Sequence, residues 1–149
     1  MEDIKRILVV SRMTTYCRNA IHYGISLAQK YGAELSVIHV MYNPFEHMNM
    51  PMMSLAEEYK KDRESAKKEL DEIINDQRKK GVGIKDFIKE GEPVSQIMNF
   101  IEEKNIGLVV LHAHKDSYWD HFTYGYSNDA LIRKIPCSVL LVKERGEES

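Results

Sequence analysis

Two short polar segments of the 149-residue sequence carry the side chains best suited to chemistry, and each follows an apolar run. Ser11-Arg12-Met13-Thr14 follows ILVV, and His112-Ala113-His114-Lys115-Asp116 follows IGLVVL. The guanidinium of Arg12 and the ammonium of Lys115 are groups that bind phosphate and other anions. Together with the start of a helix after Gly125, they would hold a small anion or a phosphate group. The alternative is that these cations pair with acidic residues of the same loop.

The second segment also offers metal ligands. If strand geometry continues past Leu111, His112 and His114 share a face, and two imidazoles with a carboxylate suit Zn²⁺ or Cu²⁺. No cysteine joins them, and no second cluster has a fixed ligand spacing. The sequence therefore favours a polar loop at the edge of a crevice, and it predicts no metal or other cofactor.

A methionine-rich stretch, residues 41–53, holds five of the eight methionines of the chain. Thioethers are ligands for Cu(I), but methionine also fills irregular apolar gaps. We interpret the stretch as an apolar flap over a crevice or at a dimer surface.

No residue pattern indicates catalysis. The sequence contains neither a G-x-S-x-G motif nor a Walker A motif. Cys17 and Cys137 are interpreted as packing thiols. His39 lies at the end of an apolar run and is interpreted as a hydrogen-bonded, partly buried histidine. We therefore expect no catalytic residues and no enzymatic activity.

The elements that must position these residues follow from hydrophobic periodicity. Near-continuous apolar runs predict five strands, at residues 4–10, 33–41, 84–89, 106–111 and 138–143. Helical spacing of apolar residues predicts four helices, at 15–31, 57–80, 93–104 and 127–135. Strands that alternate with helices are typical of an α/β, Rossmann-like open parallel sheet with helices on both faces.

A ligand of such a sheet binds beyond the carboxyl ends of the strands, where the strand order reverses. If the chain winds outward from the first strand and returns through the fourth, the two polar segments face each other across that crevice. The predicted ligand pocket is lined by Ser11, Arg12, Met13, Val40, His112, His114, Lys115, Gly125, Tyr126 and Ser127.

Length and composition limit the classes of function. The chain suits one domain over residues 1–149. Its 21 basic and 23 acidic residues give a net charge of −2, which argues against nucleic acid as a partner. No apolar run approaches the ~20 residues that span a bilayer. The start MEDIKRILVV does not resemble a signal peptide, so we expect a cytoplasmic protein with free thiols.

Several motifs together resemble the universal stress protein (UspA-like) family. They are ILVV before a helix that contains Arg18-Asn19-Ala20-Ile21, LSVIHV at the second strand, Glu90-Gly91-Glu92-Pro93, IGLVVLHAH, and a closing helix followed by Pro136-Cys137 and an apolar strand. The resemblance covers about residues 4–143. It implies a five-stranded parallel sheet of order 3-2-1-4-5 and homodimers that pair through the fifth strand, here Val139, Leu140, Leu141 and Val142.

The resemblance also bears on nucleotide binding. ATP-binding members of the family end the first strand in Asp and follow the fourth with Gly, two residues, Gly, nine residues, and Gly-Ser or Gly-Thr. The equivalent positions here are Arg12, His112, Lys115, Gly125 and Tyr126, so only the last glycine is retained. The loop that begins at His114 instead resembles the branch named for UspA, which does not retain nucleotide. The resemblance thus implies a degenerate ATP site.

Three functions stay open at this stage. The first is a non-enzymatic stress-response protein that acts through dimerisation and an unknown protein partner. The second is a switch that binds ATP or AMP in a remodelled pocket, with Arg12 and Lys115 at the phosphates. The third is a sensor of a small anion or a metal ion.

Overall fold

The computed structural model describes residues 4–42, 44, 53–113 and 126–143. Within them, strands and helices alternate along the chain. In chain order the elements are β1 (Arg6–Ser11), α1 (Cys17–Tyr31), β2 (Glu34–Met41), α2 (Met53–Lys79), β3 (Ile84–Glu90), α3 (Pro93–Lys104), β4 (Leu108–His112), α4 (Asn128–Lys134) and β5 (Ser138–Val142).

The five strands form one parallel sheet of order β3-β2-β1-β4-β5, which confirms the predicted fold class and strand order. β1 lies at the centre, where Val9 is level with Val37 of β2 and Val110 of β4. Residues 7–11 of β1 are all buried. Burial on both faces explains why this strand is a continuous apolar run in the sequence rather than an alternating one.

Helices cover both faces of the sheet, as predicted, and the described residues place two helices on each face. On one face, the apolar side of α1 and α2 packs on alternate residues of β1 such as Ile7 and Val9. On the other face, α3 and α4 pack on Leu8 and Val10. Successive side chains of a strand point to opposite faces, so β1 supplies both cores. The end of β1, from which the next residues leave the sheet, is therefore held in place from both faces.

The helix ends follow local sequence signals. α1 stops at Gly32, which takes the left-handed φ of 64° that glycine adopts without strain. α3 begins at Pro93, as predicted, and the side chain of Glu92 accepts hydrogen bonds from the backbone N–H groups of Val94 and Ser95. α2 begins earlier than the charged pattern predicted, at Met53. No helix of the described residues is long and apolar enough to cross a membrane.

Close approach of α1 to the sheet depends on Gly24. A Cβ atom at this position would lie 2.5 Å from Cγ2 of Val9 and 3.2 Å from Cδ1 of Leu35. Alanine favours a helix over glycine by roughly 1 kcal/mol, but overpacking of a core costs about 1–3 kcal/mol. The steric effect is therefore expected to decide the outcome.

We predict that Gly24→Ala lowers the free energy of unfolding, measured by urea denaturation. Gly83→Ala is the matched control, because a Cβ atom there meets no atom within 4 Å. The control should change stability by less than about 0.5 kcal/mol. A Gly24→Ala protein as stable as the wild type would contradict the packing argument.

Candidate functional site

The crevice between the carboxyl ends of β1 and β4 contains the residues on which the sequence analysis centred. These two strands pair directly, with Leu8 level with Val109, and the strand order reverses between them. Arg12 follows β1 and His112 ends β4, and the two residues line the same space together with Tyr126. The structure thus brings together three of the predicted pocket residues.

The Arg12 side chain lies buried in this crevice, with only 5% of its surface exposed. Its Nε donates a hydrogen bond to the Tyr126 hydroxyl at 3.2 Å, and Nη2 donates to Asn128 Oδ1 at 2.6 Å. The guanidinium carbon also lies 4.5 Å from the centre of the Tyr126 ring, within the range of a cation–π interaction. Arg12 therefore binds to protein groups across the crevice.

Asn128 extends this connection to β4. Its Nδ2 donates a hydrogen bond to the backbone carbonyl of His112 at 2.8 Å, while its Oδ1 accepts from Arg12. Asn128 is the first residue of α4 and is buried. One amide side chain thus ties the end of β1, the start of α4 and the end of β4 together.

These contacts leave little space in the described part of the crevice. The volume enclosed by Val10, Arg12, Cys17, Leu111, His112, Tyr126 and Asn128 does not admit a water molecule. The adjoining space between Arg12, Val40, Tyr59 and Tyr126 measures about 10 Å³, the lower limit for one water. Val40 therefore lies beside the crevice, where the sequence placed it. In the described part of the chain, protein side chains fill that crevice.

The His112 ring packs against Tyr16 at the start of α1. The two ring centroids are 5.9 Å apart and the ring planes differ by 26°, a stacked arrangement. His112 is 4% exposed. Within the described residues, it belongs to no group of three side chains arranged to bind a metal ion. His114, Lys115 and Gly125, the other predicted residues of this loop, lie outside the described residues, so metal binding by His112 and His114 stays the untested alternative to the predicted polar loop.

The turn after β1 is held by side chains rather than by glycine. Ser11 Oγ accepts a hydrogen bond from the backbone N–H of Met13 at 3.1 Å, and Met13 takes a positive φ of 58°. The backbone N–H of Arg12 donates to Cys17 Sγ at 3.3 Å. Met13 and Cys17 are both about 1% exposed, and Cys17 is a free thiol, as predicted. This turn fixes the direction in which the Arg12 side chain leaves the backbone.

Two further predicted residues have definite local roles. Ser127 caps α4, and its hydroxyl accepts a hydrogen bond from the N–H of Ala130 at 3.1 Å. Cys137 is a free thiol, and burial raises its pKa, which favours the unreactive protonated form. That environment agrees with a packing role for Cys137.

His39 differs from its sequence interpretation. It is fully buried rather than partly buried, and among the described residues its Nδ1 alone has a hydrogen-bond partner, Ser11 Oγ at 3.0 Å. Burial and the nearby Lys67 ammonium lower the pKa of His39 to about 4, against the opposing effects of Asp86 and Asp71. The imidazole is therefore neutral near pH 7, and one ring nitrogen carries a lone pair.

Comparison with known proteins shows which family this chain belongs to. The sequence model of the universal stress protein family matches residues 3–143. This chain belongs to the universal stress protein family. A universal stress protein of Methanocaldococcus jannaschii, MJ0531, is 24% identical over 97% of this chain and 85% of that protein.

Solved structures of universal stress proteins share the fold. Universal stress protein UspA from Lactobacillus plantarum superposes with a TM-score of 0.66 at 19% identity, and the match covers 95% of this chain and 99% of that one. A universal stress protein family protein from Arabidopsis thaliana, solved with AMP bound, gives a TM-score of 0.60 at 14% identity over 95% and 93% of the two chains. These TM-scores show that the chain shares the fold of both proteins.

The Arg12 contacts generate a stability prediction for this universal stress protein. In Arg12→Met, the Tyr126 hydroxyl and Asn128 Oδ1 each lose a buried donor, and the replacement supplies none. A buried polar group that loses its partner costs about 1–3 kcal/mol, so we expect a loss of roughly 2–4 kcal/mol in the free energy of unfolding.

Arg133→Met is the matched control. Arg133 is 77% exposed and forms a surface ion pair with Asp129 on the same helix. A pair of this kind contributes less than about 1 kcal/mol. Urea denaturation of both variants tests the difference, and equal stability of the two would show that the Arg12 hydrogen bonds do not hold the crevice closed.

Proposed function

We propose that this universal stress protein is a non-enzymatic stress-response protein that retains no nucleotide at the β1–β4 crevice and acts through dimerisation and a protein partner. The observation that carries the proposal is the buried Arg12 side chain, which is hydrogen-bonded to Tyr126 and Asn128. The family resemblance implies an acidic acceptor at the position of Arg12 in ATP-binding members, and this chain carries the opposite charge there.

Space and hydrogen bonding both support this part of the proposal. A polyphosphate needs an open cavity and backbone N–H groups that can approach it closely. The described crevice has no room for even a water molecule beside Arg12 and His112. A nucleotide would have to break the hydrogen bonds of Arg12 and separate Tyr126 from it before its phosphates could enter. The binding energy would be reduced by that cost.

The test of this point is the nucleotide content of the purified protein. The protein is isolated from its expression host, denatured, and the supernatant analysed for adenine nucleotides by chromatography and mass spectrometry. We expect far less than one nucleotide per chain, and no heat on titration with millimolar ATP, AMP or phosphate. Stoichiometric ATP or AMP would contradict the proposal.

A nucleotide-binding switch is the second candidate, and one cleft favours it. A space of about 360 Å³ lies at the carboxyl ends of β2 and β3, a size typical of small-molecule sites. Among the described residues it is lined by Met41, Tyr42, Tyr59, Lys60, Arg63, Glu90 and Gly91. Two tyrosines and two cations suit an aromatic anion, and an Arabidopsis thaliana relative is solved with AMP bound. If AMP binds, loss of affinity in Lys60→Gln would assign it to this cleft.

A homodimer through β5 is the other part of the proposal. β5 lies at one edge of the sheet, where it leaves a row of backbone N–H and C=O groups without a neighbouring strand among the described residues. Val139 and Leu140 are partly buried, Leu141 is 42% exposed and Val142 is buried. A second copy would satisfy the edge and cover Leu141.

Light scattering after size exclusion tests the dimer. We expect the wild type to have twice the 17.3 kDa mass of the chain at micromolar concentration, and Leu141→Glu to be a monomer. Ile88→Glu is the matched control, because Ile88 is 52% exposed on β3, at the opposite edge of the sheet. A monomeric wild type, or dissociation by Ile88→Glu alone, would refute pairing through β5.

A further inference from the structure

A second cluster of chemically competent side chains lies on the opposite face of the sheet from the Arg12 contacts, beneath α2. It consists of His39 from β2, Asp71 from α2 and Asp86 from β3. One ligand atom from each of the three lies within 4.8 Å of the other two. The closest described approach of the imidazole to a carboxylate is 3.8 Å, from His39 Nε2 to Asp86 Oδ2.

The imidazole of His39 is fully buried and oriented toward the two acids. Its Nδ1 is bonded to Ser11 Oγ, which also accepts a hydrogen bond from the backbone N–H of Met13. When Nδ1 donates its proton to this hydroxyl, Nε2 carries a lone pair that faces Asp86. Among the described residues, no group forms a hydrogen bond with this Nε2. In that tautomer a buried lone pair faces a carboxylate oxygen, which is unfavourable unless a cation lies between the two atoms.

Two basic side chains already neutralise the acids in part. The Lys67 ammonium donates to both oxygens of Asp71, at 2.9 and 2.8 Å, and Arg78 Nη2 donates to Asp86 Oδ1 at 2.7 Å. Oδ2 of Asp86 remains directed at His39. The Lys67–Asp71 pair is one helical turn apart and partly exposed, and ion pairs of this kind contribute little to stability. Lys67 can therefore leave the cluster along its flexible stem at little cost.

We propose that His39, Asp71 and Asp86 bind one divalent transition-metal ion, which replaces the Lys67 ammonium. One imidazole and two carboxylates form a donor set suited to Zn²⁺ or Mn²⁺. The ligand atoms now lie within 4.8 Å of one another, and metal–ligand distances of about 2.0–2.2 Å would require them to move closer together. The hydroxyl of Ser11 would hold the imidazole in the tautomer that leaves Nε2 free for the metal.

Such an ion would link α2 to β2 and β3. It would stabilise the folded chain by mass action, because the unfolded chain holds no preformed site. The proposal does not depend on the state of the β1–β4 crevice, nor on the dimer. Its ligands come from three separate elements, and none belongs to the loop after β4 that the sequence suggested.

The experiment uses the full chain, stripped of metal with a chelator and dialysed. Titration calorimetry with ZnCl₂ and with MnCl₂ should give one ion per chain, together with an increase in Tm at saturating metal. Co²⁺ in place of Zn²⁺ should give visible absorption bands from the bound ion. Asp71→Asn and His39→Gln should each lower the affinity at least about tenfold.

Lys67→Gln provides the sharpest test, because it removes the competing ammonium and should tighten metal binding. Asp71→Asn keeps the test decisive if His39→Gln fails to fold, since Asp71 is partly exposed on α2 and outside the core. His22→Gln is the matched control, because His22 is an exposed histidine of α1, and it should leave the affinity unchanged.

Three results would overturn the proposal. They are no binding of Zn²⁺ or Mn²⁺ below millimolar concentration, unchanged binding in both Asp71→Asn and His39→Gln, or weaker binding in Lys67→Gln. Undiminished affinity in both Asp71→Asn and His39→Gln would assign any bound ion to other residues of the chain.

Discussion

The structure depends on one interaction above all, the insertion of the Arg12 guanidinium between Tyr126 and Asn128. A buried cation is costly unless its donors are satisfied, and here a phenol, an amide and an aromatic ring contact the guanidinium. Asn128 in turn fixes the end of β4 through the carbonyl of His112. The site where open parallel sheets usually bind ligands is thus occupied by the side chain of the protein itself.

Alternation along β1 connects this crevice to the opposite face of the sheet. Ser11 points toward α2 and contacts His39, whereas the next side chain, Arg12, turns toward α4. The backbone carbonyls of Arg12 and Met13 also accept hydrogen bonds from Arg63 of α2. The end of β1 therefore contacts elements on both faces of the sheet.

Much of this architecture could be predicted from the sequence because it depends on local signals. Buried parallel strands are continuous apolar runs, Gly32 ends α1, and Pro93 begins α3. The importance of Arg12 and Tyr126 could also be predicted, since both occupy positions where the resemblance implied other residue types. The structure brings these two residues into direct contact, and it adds Asn128, which was not among the predicted site residues and whose amide joins Arg12 to the His112 carbonyl.

The rest depends on long-range geometry that no local pattern encodes. His39 was expected to have its hydrogen bonds satisfied, but its Nε2 has no hydrogen-bond partner among the described residues. The acidic side chains near it come from α2 and β3. Asp86 lies beside it only because the parallel register pairs Val37 with Asp86, two residues before His39 on the same face. That register results from packing of whole elements. Likewise, the side chain of Asn128 is held by groups at the ends of two other elements, Arg12 after β1 and His112 of β4.

A crystal of the protein soaked with ATP tests the central claim most directly, because it reports both the ligand and the Arg12 side chain. The account predicts no nucleotide density between β1 and β4, with Arg12 still hydrogen-bonded to Tyr126 and Asn128. An ordered nucleotide in the crevice, with Arg12 turned away from both partners, would contradict it.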